Sequence, residues 1–500
     1  MNAAESYPRG RVTLTHLWYV LPAFMLLAVI WGFGEITPAD FWWHIRTGQV
    51  ILELRRIPRI DLYSFTHMGE PWMYQSWLME IILYLIYRAG GAPLTLLAHG
   101  LFITTGYLFL QKALLLIAPR DARVSATITI AVAVLSMQNW AVRPQSISFT
   151  LFGLVMYLLT RYQRLGGRVL WWLPPVFLIW ANAHGGFIFG LGLLGCFTLS
   201  HIWETYRSNR TWAISEVILP IALALLVLAI NPAGPIGLVN YVLGFVRHPI
   251  TRSYNMEFQP LSVRTFTGAS FVVLVVLLIA ILIRKHYCPN LFESLCLLVF
   301  GTLALWAIRN PPWFGFVAAP VAARALAMRP TAKQRISLGN YQINRLLLLC
   351  LIVLDIICLP WFRAALPRWG ERHGVIRQYT PVDATTYACE HLPSNARVFN
   401  EMEYGSYIIW ACPQLPVFID TRFELYSPDE WEEYLAISYA RYDWQRILDQ
   451  YKITHLFLHP ERQENLINAA TESPYWQLIY QDDVSVIFAR SDRFPQISAK

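Results

Sequence analysis

Three runs, LWYVLPAFMLLAVIWGF (17–33), FVVLVVLLIAILI (271–283) and RLLLLCLIVLDIICLPWF (345–362), approach the roughly 20 residues needed to cross a hydrocarbon layer. Segments of this kind recur along the 500-residue chain, which is 56% hydrophobic and only 14% charged. A soluble domain rarely exceeds about half apolar residues, so a multi-pass membrane protein is expected. The first run is about 18 residues long, lacks a small-x-small cleavage site and leads into tryptophans, which marks a retained span rather than a signal peptide.

Setting apolar runs against arginine loops gives about eleven spans. They fall near 16–34, 93–118, 123–141, 145–160, 169–183, 186–205, 212–230, 268–284, 290–308, 312–328 and 343–362. The basic N-terminal PRGR and the loops PRDAR (119–123), RYQRLGGR (161–168), YRSNR (206–210), RKH (284–286) and RPTAKQR (329–335) then share one side, which the positive-inside rule makes cytoplasmic. The net charge of +8 is accounted for in these loops and does not point to nucleic acid. The assignment closes if QSWLMEIILYLIYRAGG (75–91) lies along the interface as an amphipathic helix. An inner (plasma) membrane location follows, with the N-terminus cytoplasmic. The opposite face receives 35–92, NAHGG (182–186), 231–267, RNPPW (309–313) and everything after 363. Arg46, Arg55, Arg56 and Arg59 in the first of these run against the rule, while the other loops agree.

From 363 the pattern changes. The β-type runs ARVFN (396–400), YIIWA (407–411), PVFID (416–420), THLFLH (454–459) and VSVIFAR (484–490) are interleaved with the helical stretches DEWEEYLAISYA (429–440) and DWQRILDQY (443–451). The expected organisation is a transmembrane domain over 1–362, with 35–92 as its first extracytoplasmic loop, and an extracytoplasmic α/β domain over 363–500. The seven cysteines show no CxxC or zinc spacing. Cys389 and Cys412 in the tail are either a disulfide of an oxidising compartment or two unpaired side chains. No repeat, low-complexity tract, P-loop or GxGxxG is found.

The outer face collects the unusual polar residues. In GEITPADFWWHIRTGQ (34–49), Asp40 and His44 are four apart, so on a helix starting near Pro38, with Thr37 as a cap, they share a face. Trp42 and Trp43 would sit at headgroup depth, and a plain interfacial anchor explains the stretch equally well. Asn182 and His184 stand at the end of a span beside two glycines, or belong to an ordinary turn. Arg309 and Asn310 precede a double proline, where an arginine can clamp a lipid phosphate or hold ordinary headgroups. Arg143 in WAVRPQS is a weaker candidate of the same type. Asp61 reads as a turn residue able to supplement Asp40, and Glu80 as a polar-face residue. Asp420 and Arg422 follow a strand-like run as a binding loop or a structural ion pair.

An acid just after the first span, juxtamembrane helices, many spans and an α/β tail resemble the GT-C class of membrane glycosyltransferases. Within it the likeness is to bacterial relatives of protein O-mannosyltransferases and lipid A aminoarabinose transferases. It is distinctive over DFWWHIRTGQVILELRRIPRIDLYSFTHMGEPWMYQSWLMEIILYLIYRAGG (40–91) and FNEMEYGSYIIWACPQLPVFIDTRFELY (399–426). The chain carries Gln75 where the resemblance leads one to expect His, and Glu35 and Asp40 are separated rather than adjacent. The resemblance implies an inverting sugar transferase that takes a polyprenyl-phosphate-linked donor from the membrane. Its acceptor would be a hydroxyl of an extracytoplasmic lipid, glycan or protein. Asp40 would serve as base, with Arg309 and His184 at the leaving phosphate and His44, Asn310, Asn182, Glu80, Asp61, Asp420 and Arg422 as further substrate-binding candidates. A divalent metal ion is used by some members and is possible here, although no ligand cluster demands one.

Two other classes fit the same chain. A non-catalytic scaffold or assembly subunit in a membrane complex would use the aromatic face (Trp42, Trp43, Trp72, Trp77) to bind lipid or a partner. A transporter needs several ionisable groups inside its spans, and Asp355 is the main one here; it is expected to meet a polar partner on another span.

Overall fold

The computed structural model describes residues 11–119, 121–208, 214–327, 339–365 and 374–491. The PRGR segment up to residue 10, the end of YRSNR and the whole of RPTAKQR lie outside the described residues.

α1 (Leu14–Phe33) starts at a capping box in which Thr13 Oγ accepts from the His16 amide and His16 Nδ1 accepts from the Thr13 amide. Gly34 ends it, and α2 (Phe41–Leu54) follows after a short extended link. α3 (Trp77–Ile117) is bent at Gly90 and Gly91, where Gly91 has φ of 62°, a conformation open to glycine. Its first arm covers the stretch expected along the interface, and it packs against α2 with Met79, Glu80 and Leu83 buried. α4 (Ala122–Ser136) leads through a 3-10 turn to α5 (Ser146–Leu165). α3 and α5 meet closely because a Cβ at Gly106 would lie 2.3 Å from the Phe149 carbonyl oxygen, and one at Gly153 only 2.2 Å from that of Gly106.

The chain continues through α6 (Leu173–Ala183), α7 (Phe187–Arg207), α8 (Leu219–Leu226), α9 (Gly234–Arg247) and α10 (Pro249–Tyr254). It then forms α11 (Phe266–Lys285), α12 (Leu291–Trp306), α13 (Pro311–Ala327), α14 (Tyr341–Cys358) and α15 (Pro360–Ala365). Each expected span falls on helix in its described part. Among the described residues, five helices are long and apolar enough to cross a membrane: α1, α3, α7, α11 and α14. A sixth candidate is the segment through α8 and α9, bent by 85°. α13 is buried along nearly its whole length, whereas α14 rests on α1 and leaves Leu346, Leu349 and Val353 exposed. Among the described residues the polar partner expected for Asp355 is not found: its Oδ1 is buried without a hydrogen bond.

After α15 the order is α16 (Val382–His391), β1 (Val398–Asn400), α17 (Met402–Ala411), α18 (Pro428–Ser438), α19 (Trp444–Gln450), β2 (His455–Leu458), α20 (Glu464–Glu472), β3 (Trp476–Gln481) and β4 (Val486–Arg490). The sheet order is β1-β2-β4-β3, with β1 and β2 parallel and the other pairs antiparallel. Alternation along β2 builds two cores. Leu456 and Leu458 join Trp431, Ile437 and Leu448 of α18 and α19, while Phe457 joins Ala384, Ala388 and Ile408 of α16 and α17. The YIIWA run is therefore helix rather than strand, because Glu401 caps it by accepting from the Tyr404 amide at 3.0 Å. PVFID is extended but pairs only through Val417, which bridges Ser64 on one side and Val398 on the other. Cys389 and Cys412 form a disulfide, with Cα atoms 5.5 Å apart.

Backbone pairings at two places join this unit to the rest of the chain. Ile36 pairs with Ile376 through Ile36 N–H to Val375 O and Arg377 N–H to Ile36 O, both 3.0 Å. Tyr63 and Phe65 of the first loop exchange hydrogen bonds with Val417 at 3.1 and 3.0 Å.

Candidate active site

Asp40 stands at the start of α2 yet caps nothing with its side chain. An aspartate there usually accepts from the first free amides. Instead its Oδ2 accepts from Arg143 Nη1 at 3.0 Å. Arg143 lies in the turn before α5, whose carbonyl accepts from both the amide and the hydroxyl of Ser146. Its Nη2 donates to Glu257. Glu257 sits on a 3-10 turn and is held by Asn255 Oδ1, which accepts from its amide at 2.9 Å. The Glu257 carbonyl accepts from the Arg309 amide and the Gln259 carbonyl from that of Ile308, so two distant segments run side by side. Arg309 thereby reaches Glu257 at 3.4 Å, its guanidinium 4.8 Å from the Phe258 ring centroid.

These charges hold one another. Burial opposes the charge on Arg143, but Glu257 and Asp40 outweigh it and raise its pKa. Burial pushes Glu257 up, and Arg143 with Arg309 brings it below the ordinary carboxylate value.

Two histidines line the same cavity with their tautomers set by neighbours. His184 Nδ1 accepts from the Gly186 amide at 3.0 Å and lies 2.8 Å from Ser148 Oγ, which in turn accepts from Trp180 Nε1. A neutral ring in this setting carries its proton on Nε2. Burial, then Arg309 and Arg143, lowers the His184 pKa well below its ordinary value, so the neutral form prevails. His44 Nδ1 lies 2.8 Å from Glu80 Oε1, and the Trp43 ring covers it with centroids 3.6 Å apart.

The cavity has a volume of about 270 Å³ and is walled by Asp40, His44, Glu80, Arg143, His184, Glu257, Arg309, Asn310 and Arg422 among others. Of the residues expected at a site, it therefore gathers Asp40, His44, Glu80, His184, Arg309, Asn310 and Arg422. Asp61, Asp420 and Asn182 are placed elsewhere. Arg422, fully buried, binds Asp61 at 2.5 Å and Asp420 at 2.8 and 2.6 Å through its Nε and Nη2. The rings of Tyr63 and Trp72 lie 5.2 and 5.3 Å from it, so the two acids are consumed in an ion-pair cluster that docks the C-terminal unit. Asn182 is likewise spent, accepting from Trp77 Nε1 and Asn231 Nδ2 at 2.9 and 3.2 Å. Asn310 donates to the Leu303 carbonyl at 2.9 Å while still lining the wall.

Two expectations need correction. Trp42 and Trp43 do not form an exposed interfacial anchor: Trp42 is wholly buried, its Nε1 donating to the Thr37 carbonyl at 2.8 Å, and Trp43 is buried beneath the C-terminal unit. Glu80 is not on a polar face but is buried against His44.

Sequence reasoning missed Glu257, Tyr241 and Glu424 and underrated Arg143. Their only signal was an acid, a tyrosine or an arginine in an outer segment. Glu424 comes from the C-terminal unit and has no ion-pair partner among the described residues. Burial, with Asp40 adding to it, raises its pKa to about 7. Gln75 also lines the cavity, its amide tied to the Ala181 carbonyl at 2.9 Å.

Among the described residues no three His, Cys, Asp or Glu groups gather as metal ligands would. In the cavity, Asp40 and Glu257 both pair with the Arg143 guanidinium.

No family model and no curated protein matches the chain. Among solved structures, the oligosaccharyltransferase AglB of Archaeoglobus fulgidus, in complex with an inhibitory peptide and a dolichol-phosphate, matches at a TM-score of 0.54. It is 12% identical, over 97% of this chain and 75% of that one. ArnT from Cupriavidus metallidurans bound to undecaprenyl phosphate matches at 0.50 with 12% identity, over 96% and 99%. The chain has a GT-C-like fold. The arabinofuranosyltransferase AftD from Mycobacteria matches this GT-C-like fold at 0.59 with 14% identity, over 96% of this chain but only 40% of AftD. A GT-C-like fold is an α-helical membrane fold, in keeping with the apolar helices found here.

Proposed function

We propose that the protein transfers a sugar from a polyprenyl-phosphate-linked donor to a hydroxyl of an extracytoplasmic lipid, glycan or protein, with inversion. The observation that carries this reading is the convergence of Asp40, Arg143, Glu257, Arg309 and His184 on one cavity. The fold adds weight, since solved neighbours hold dolichol-phosphate or undecaprenyl phosphate.

Asp40 Oδ2 is occupied by Arg143, which leaves Oδ1 to take the acceptor proton within hydrogen-bond reach. As the acceptor oxygen bonds to the anomeric carbon, the bond to phosphate breaks and its electron pair leaves with the phosphate. The neutral His184 Nε2–H and the Arg309 guanidinium supply donors for that growing charge. The cavity is then placed on the extracytoplasmic side of the inner membrane, with the N-terminus cytoplasmic. The basic loops and the Cys389–Cys412 disulfide support this orientation.

The test is Asp40→Asn in the purified full chain, supplied with a panel of polyprenyl-phosphate-linked hexoses and pentoses. Release of polyprenyl phosphate is expected to fall by about 100-fold or more while the unfolding temperature stays near the parental value. Transfer at the parental rate removes Asp40 as the base.

A further inference from the structure

Asp40 shares Arg143 with Glu257, and a second proton acceptor stands on the same cavity wall. His44 follows Asp40 by one helical turn, a spacing of about 5–6 Å between Cβ atoms. Its Nδ1 is turned to Glu80 Oε1 at 2.8 Å. Among the described residues its Nε2 has no hydrogen-bond partner, and it is not among the fully enclosed polar atoms, which leaves it as the ring nitrogen on the cavity side. Glu80 is buried, and among the described residues its Oε2 has no hydrogen-bond partner.

We propose that the His44–Glu80 pair is the proton store of this site, receiving from Asp40 the proton that the acceptor hydroxyl gives up. The inference rests on the transferase reading above. With Nδ1–H donated to the Glu80 carboxylate, Nε2 offers a lone pair to the cavity. A proton arriving there makes an imidazolium against a carboxylate, so the buried charge is compensated where it forms. Asp40 returns to its pairing with Arg143, and the stored proton leaves with the departing phosphate or to solvent. The arrangement follows the general scheme in which a buried carboxylate orients an imidazole and stabilises its charged form. Burial lowers the His44 pKa against the opposing pull of Glu80, which keeps the ring able to release the proton again. The groups facing the pair are Arg143 from the turn before α5, Arg422 from the C-terminal unit, His184 after α6, Tyr241 of α9, Tyr63 and Tyr74 of the first loop, and Asp40 at the start of its own helix.

The experiment compares His44→Gln and Glu80→Gln with Asp40→Asn in the full chain, using the polyprenyl-phosphate-linked sugar panel. His44→Gln is expected to lower kcat by about 100-fold with KM for the donor unchanged and to remove the acid limb of the parental kcat–pH profile. Glu80→Gln is expected to move that limb to lower pH, because the ring loses the carboxylate that favours its charged form. An activity-independent readout is ¹⁵N NMR of the imidazoles, with His44 assigned by its loss in His44→Gln. The parental ring should carry its neutral proton on Nδ1, and Glu80→Gln should abolish that preference. If Asp40→Asn is inactive while His44→Gln keeps the parental kcat and acid limb, the proton store is wrong and the transferase reading survives. If Asp40→Asn releases polyprenyl phosphate at the parental rate, Asp40 is not the base and the store loses its source; if the parental chain releases none from any donor of the panel, the transferase reading itself fails. A His44 ring protonated on Nε2 in the neutral parental protein overturns the store on its own.

Discussion

Arg143 donates to Asp40 at 3.0 Å across 103 residues of chain, joining the turn before α5 to the start of α2. With Glu257 on its other nitrogen, it is the charge that lets two acids share a buried site. Replacing it with Met should cost about 3 kcal/mol, the usual price of leaving buried charges unpaired. Lys should recover only part, since a point charge cannot fork between two carboxylates. Thermal unfolding of the solubilised protein measures both.

The Arg422 cluster should matter more to docking than to chemistry. Arg422→Met leaves Asp61 and Asp420 unpaired and is expected to cost about 3–5 kcal/mol, seen as faster proteolysis between the first loop and the C-terminal unit. Lys should not rescue, because the guanidinium binds Asp420 through two nitrogens while holding Asp61 with a third. Asp61→Asn added to Arg422→Met should restore part of the loss.

Glu424 gives the stability a pH dependence of known sign. Its pKa rises from the ordinary 4.5 to about 7, first through burial. The folded state therefore favours the protonated form. The stability this contributes is complete below pH 4.5 and is lost as the pH rises through 7. Glu424→Gln should unfold at a higher temperature than the parent at pH 8 and at the same temperature at pH 4.

The disulfide closes a loop between positions 23 apart. Reduction, or Cys389→Ser with Cys412→Ser, should lower the stability of the C-terminal unit by about 3 kcal/mol. Denaturant unfolding followed by tryptophan fluorescence, with and without reductant, reads the difference.

Gly48 sets the distance between α2 and α3. A Cβ there would lie 2.2 Å from the Glu80 carbonyl oxygen, backbone that cannot swing aside. Gly48→Ala should therefore push the helices apart, at a cost of about 1–3 kcal/mol. The His44–Glu80 contact should lengthen with it, read as a changed His44 imidazole shift.

Much of the architecture was legible because a span is a local property. Twenty apolar residues satisfy their own backbone hydrogen bonds wherever they lie in lipid. The strands at 398–400, 455–458 and 486–490 were legible for a similar reason, as short β-type runs bounded by turns. YIIWA misled because an apolar run of that length is ambiguous between helix and strand, and Glu401 decided it as a cap. Asp61 and Asp420 misled differently. Each looked like a site acid, yet 361 residues separate Asp61 from the guanidinium that consumes it.

The sequence by itself determined that this chain is largely apolar helix, with several helices long enough to cross a membrane, since periodicity and hydropathy are written in neighbouring residues. It also singled out Asp40, His44, His184 and Arg309. Only the tertiary structure decided what each acid does. A carboxylate's role depends on which partner reaches it, and that partner comes from a distant segment: Arg143 for Asp40, Arg422 for Asp61, His44 for Glu80. No local pattern encodes those meetings, because they arise from how the segments pack.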